Sequence, residues 1–80
     1  MTIEKFIADI KREVSPLENV ALKKETRIRE VEAWDSLANL MLLSMIDLDW
    51  GIQLNPRELW QCDTIQDIFN QLQLKTSGNN

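Results

Sequence analysis

Thirteen residues from Ala38 to Trp50 are apolar apart from Asn39, Ser44, Asp47 and Asp49, and this run restricts the fold more than any other stretch of the chain. Laid out as a helix at about 100° per residue, it has two apolar faces. Leu42, Leu43, Ile46 and Trp50 share one side, with Asn39 at its edge, and are expected to point into a core. Leu37, Met41, Ser44 and Leu48 form a second stripe at spacings of four, three and four. A helix that is apolar nearly all round is either buried or partnered. An 80-residue chain has little material to wrap it, so the second stripe reads as a surface for another protein, with a self-associating face as the alternative.

The flanks of this run mark its ends. Asp35 is a good N-cap, because its carboxylate can accept from the unpaired N–H groups of the first turn; that puts Ser36 at the first helical position, facing water. Gly51 suits a left-handed C-cap. Upstream, Ile3, Phe6, Ile7, Ile10 and Val14 recur every three or four residues and predict an amphipathic helix of about four turns, capped by Thr2 and ended by Pro16. Leu17 to Trp34 is too irregular for a helix and too long for an ordinary loop; Leu22, Ile28 and Val31 are the apolar residues expected to pin it down. Downstream, Ile52 to Leu54 reads as extended. Asn55-Pro56-Arg57-Glu58 predicts a short helix with a capping box, ending near Gln61. Asp63-Thr64 caps a last helix carrying Ile65, Ile68, Phe69 and Leu72. The expectation is an all-α domain over residues 1–75, with a polar tail, 76–80, too poor in apolar surface to order itself.

Several chemistries fall away on residue content. The chain has one cysteine and no histidine. Cys62 therefore has no internal disulfide partner and reads as a small buried hydrophobe. Ser-His-Asp and Cys-His nucleophilic sites and the usual zinc ligand sets are missing, so no catalytic and no metal residues are expected, and nothing in the chain activates Ser36. Charge is uneven: residues 1–29 carry a net +2, residues 30–67 a net −7. An acidic half opposes nucleic-acid phosphates and suits partners with basic patches, with simple solubility as the equal alternative. The longest uninterrupted apolar run is Leu40 to Leu43, too short to insert in a membrane, and the N-terminus lacks a signal-peptide core; a cytoplasmic monomer is expected.

Taken together, a long helix, a long loop, an Asp35-Ser36-Leu37 helix ending in Trp50-Gly51-Ile52, a short helix after Asn55-Pro56 and a last helix beginning Thr64-Ile65 resemble an acyl carrier protein. The likeness spans roughly residues 3–73. It implies a four-helix bundle of acyl-carrier type, with a long first loop and a short third helix. It further implies that Ser36 carries 4′-phosphopantetheine, moved from coenzyme A by a separate phosphopantetheinyl transferase with Mg²⁺, and that Asp35 helps hold that metal. The chain would then be a carrier and a substrate, not an enzyme. Acyl groups would ride on the arm's thiol between loading and transferring enzymes of fatty acid, lipid or polyketide-like synthesis, and shelter between the second and later helices.

The likeness has departures. Trp34 stands where general fatty acid carriers have a small residue, and Ala38, Met41 and Leu48 stand where acids are expected; only Asp47 keeps one. Recognition through Leu37, Met41, Ser44, Asp47 and Leu48 would therefore be more apolar than usual, which suggests a dedicated pathway. A peptidyl carrier domain, or a helical interaction module without a prosthetic group, are the alternatives.

Overall fold

Four helices form the fold in the computed structural model, which describes residues 2–77, Ser77 by its backbone alone. They are α1 (Ile3–Glu13), α2 (Ser36–Trp50), α3 (Pro56–Trp60) and α4 (Ile65–Ser77), with single 3₁₀ turns at Ser15–Leu17 and Ile28–Glu30. No strand occurs among the described residues. The α1 helix packs on both α2 and α4, and α3 packs on α2.

Each helix starts where its capping residue dictates. Thr2 Oγ1 accepts from Lys5 N at 3.2 Å at the head of α1. Asn55 and Glu58 form the reciprocal capping box of α3, at 2.8 and 3.2 Å. Gly51 closes α2 at φ 67°, its N–H donating to the Asp47 carbonyl at 3.0 Å; a side chain there would be strained. The first helix is shorter than its four expected turns: it stops at Glu13, and Val14 passes fully buried into the turn made by Pro16.

The core joins Phe6, Ile10 and Val14 of the first segment to Leu42 and Ile46 of α2, Leu59 of α3 and Ile65, Ile68 and Leu72 of α4, all completely buried. At one end Phe6, Trp50 and Phe69 pack mutually, with ring centroids 5.8–5.9 Å apart. Edge-to-face and tilted aromatic pairs of this kind add roughly 0.5–1.5 kcal/mol beyond their burial.

The expected inward face of α2 needs correction. Leu42 and Ile46 are buried, but Leu43 and Trp50 are only half-buried, and Ala38 and Met45 take their places in the core. Asn39 lies inside rather than at the edge, because Trp34 folds over it. Met41, expected to face water, is half-buried and packs against the core.

The long connection is held partly by side chains and partly by backbone. Ile28 and Leu17 are fully buried and Trp34 nearly so, while Leu22 and Val31 are half-buried. Its middle pairs with the start of α4 across one antiparallel bridge, Arg27 with Thr64. Ile28 N donates to Asp63 O at 2.9 Å, Ile65 N to Thr26 O at 3.2 Å and Gln66 N to Lys24 O at 3.0 Å. Arg29 donates to the carbonyls of Trp60 and Cys62 and so caps the end of α3. These bonds satisfy helix-end groups that would otherwise lack partners. At the C-terminus α4 continues through Lys75 and Thr76 to Ser77, two residues into the expected tail; 78–80 lie outside the described residues.

Candidate functional site

The head of α2 is built by residues 34 to 39. Trp34 is buried, its backbone N–H donating to Val31 O at 2.9 Å. Its indole N–H donates to Asn39 Oδ1 at 2.7 Å, in the interior. This contact spans the five residues around the helix start and braces the turn from both sides. Asp35 is extended, at φ −95° and ψ −168°; its Oδ1 accepts from Ala38 N at 3.0 Å and its carbonyl from Asn39 N at 3.0 Å. The Ser36 and Leu37 N–H groups precede the first i→i−4 bond of the helix, and both side chains are exposed. Ser36 thus presents its hydroxyl to solvent from a rigid, capped start. Asn39 Nδ2 is buried without an acceptor, which costs roughly 1–3 kcal/mol.

The proposed recognition stripe is brought together on one side of α2. Leu37 is 56 % and Leu48 82 % exposed, and Ser44 and Asp47 are exposed as well; Met41 is the exception, half-covered at the stripe's margin. Leu40, 59 % exposed, belongs to the same surface and was not among the expected residues. The helical register contains that signal, since Leu40 falls between Ser36 and Ser44 at spacings of four. Asn39 was missed as a core residue; its clue was an aromatic donor five positions earlier. The segment that carries this surface is acidic: Glu30, Glu32, Asp35, Asp47 and Asp49 are all exposed, and no Lys or Arg occurs from 30 to 56.

Other reactive groups are placed unfavourably for chemistry. Cys62 is buried, and desolvation, with a smaller effect from the Asp67 charge, raises its thiol pKa above the ordinary 9.0. Such a thiol is a poor nucleophile. Among the described residues no three Cys, Asp or Glu side chains cluster closely enough to hold a metal ion, and no helix is long and apolar enough to cross a membrane. What the site can do is accept a group on Ser36 Oγ; an outside enzyme would have to supply the base. Compared with models of known families, curated proteins and solved structures, the chain gives no match.

Proposed function

We propose that the chain is an acyl carrier protein serving a dedicated lipid or polyketide-like pathway, with a four-helix bundle of the carrier type and its arm on Ser36. The exposed Ser36 hydroxyl on the first residue of a braced helix, in a chain without histidine, is the observation that supports this reading most. A serine with no base of its own suits a substrate of modification better than a catalyst.

The residues present fit a 4′-phosphopantetheine group. The Ser36 and Leu37 N–H groups and the positive end of the α2 dipole favour a phosphate by roughly 0.3–1 kcal/mol at an exposed site. Asp35 opposes it, but its Oδ1 already accepts from Ala38 N. In the loading step Ser36 Oγ gains the phosphate ester bond and loses its proton to the transferase, while the pyrophosphate bond of coenzyme A breaks and the adenosine bisphosphate leaves. Once attached, the arm supplies a thiol on which an acyl group is held as a thioester. Exposed Leu37, Leu40 and Leu48, with Asp35 and Asp47 beside them in the chain, then offer partner enzymes an apolar contact with acidic neighbours.

The test is intact mass after co-expression with a broad-specificity phosphopantetheinyl transferase. Wild type should gain one phosphopantetheinyl group and Ser36→Ala none. A folded wild-type protein of unchanged mass would overturn the reading and favour a helical interaction module without a prosthetic group.

A further inference from the structure

A shallow, open groove of about 260 Å³ lies on the outside of α2, lined by Leu40, Leu43, Ser44 and Asp47 and bordered by Gln53 and Leu54 of the segment returning from Gly51. Ser36, Leu40, Leu43 and Asp47 follow at spacings of four, three and four, so the groove lies on the same helical face as the serine. At a rise of about 1.5 Å per residue, Leu40 stands roughly 6 Å and Asp47 roughly 16 Å below Ser36 along the axis. Two further hollows beside α4 are lined by residues 61–74 and include none from α2.

The groove changes character along its length. Leu40, Leu43 and Leu54 make its walls apolar, whereas Ser44, Asp47 and Gln53 supply a hydroxyl, a carboxylate and an amide, with Ser44 and Asp47 at the end of the α2 wall away from Ser36. No cation lies on α2 or on the return segment to answer the carboxylate. The bundle interior offers less room: Leu42, Ile46, Leu59, Ile65 and Ile68 are completely buried, so a cargo entering there must displace packed side chains.

We propose that a group tethered to Ser36 lies in this outer groove rather than in the core, and that Asp47, Ser44 and Gln53 select a short acyl group bearing a hydrogen-bond donor, either hydroxyl or ammonium. The proposal rests on the carrier reading. Its chemistry is simple: the leucines cover the apolar part of the tethered group, and the carboxylate, unpaired by any cation of its own segment, accepts from the donor.

The experiment charges Ser36 with phosphopantetheine bearing butyryl, 3-hydroxybutyryl or 3-aminobutyryl groups, using the matching coenzyme A thioesters and a broad-specificity transferase, and compares backbone amide chemical shifts with those of the uncharged and thiol forms. For the hydroxy and amino cargoes, shifts should concentrate at Leu40, Leu43, Ser44, Asp47, Gln53 and Leu54. They should exceed the butyryl shifts at Asp47 and Gln53 roughly two- to fivefold, as expected of a solvent-exposed polar contact, and Asp47→Asn should remove most of that excess. A larger effect for the amino than for the hydroxy cargo, lost in high salt, would identify ammonium as the preferred donor; a larger effect for the hydroxy cargo would identify hydroxyl, and equal effects would show that the site reads the donor irrespective of its charge. Shifts centred on Ile46, Leu59 and Ile68, or equal shifts for all three cargoes, would overturn the groove assignment while leaving the carrier reading intact. Failure of Ser36 to gain mass would overturn both.

Discussion

The heads of α2 and α4 begin with similar capping chemistry and end in opposite states. At α4, Thr64 Oγ1 accepts from Asp67 N at 3.1 Å, and Asp67 Oδ2 in turn accepts from Asp63 N and Thr64 N, each at 3.1 Å. The next two amides, Ile65 and Gln66, donate to loop carbonyls. Every early N–H of α4 is thus consumed by the chain itself. At α2 the cap takes only Ala38 N, the turn before it is fixed by the Trp34–Asn39 bond, and Ser36 and Leu37 stay open to solvent. One head is a joint that holds a long loop; the other is braced below and open above, which suits the proposed modification.

The largest effect expected from breaking this contrast is at Ser36. Ser36→Ala should abolish phosphopantetheinylation completely while leaving stability within about 0.5 kcal/mol, because an exposed hydroxyl makes few contacts. Mass spectrometry with a urea titration measures both, and a modified Ser36→Ala protein would place the attachment site on another residue.

Next come the two caps. Asp67→Ala removes the acceptor of two N–H groups at the joint and should cost about 1–2 kcal/mol, whereas Asp35→Ala, which frees one, should cost about 0.5–1 kcal/mol. Urea midpoints of the two variants rank them directly. If Asp35→Ala proves the more damaging, the open head carries structure that its exposure conceals.

The comparison is cleanest above the carboxylate range, because a third acid responds to pH. Asp9 is buried on α1, with Lys5 Nζ at 2.7 Å and Arg12 at 2.8 Å. Burial raises its pKa, and the hydrogen bonds and charges of Lys5 and Arg12 more than reverse this, leaving it below its ordinary 3.8. A folded-state pKa below the unfolded value means the stabilisation is complete above that range and is lost as pH falls below about 4 and through the folded value. Both partners are more than half exposed, which holds the contribution to roughly 0.2–1 kcal/mol. Asp9→Asn should therefore narrow the gap between stability at neutral and at acid pH.

The smallest effect belongs to Leu48, at 82 % exposure. Leu48→Glu should leave the thermal midpoint nearly unchanged, within about 0.5 kcal/mol, yet weaken a partner that covers this face by burying an unpaired carboxylate. Unchanged binding of a cognate enzyme would place docking elsewhere.

Local chemistry made much of this legible from residues alone. Helix starts at Thr2, Asp35, Asn55 and Thr64 are decided within four residues by a side-chain acceptor and a nearby N–H, and the end of α2 by a single glycine. The exposure of Ser36 followed from the same reasoning. The apolar run also foretold that α2 would leave hydrophobic surface uncovered.

What the tertiary structure alone decided depends on neighbours distant in the chain. Lys24, Thr26 and Ile28 dock the long loop on α4 chiefly through backbone groups, which every residue possesses and which leave no mark in a side-chain pattern. Met45 entered the core while Leu43 and Trp50 were left half outside, because burial on a helix apolar on most sides is assigned by whichever elements arrive to cover it. Asn39 became a core residue only when Trp34 closed over it. The groove beneath Ser36 exists because Gln53 and Leu54 return beside α2, a meeting that helical periodicity, confined to one segment, has no means of specifying.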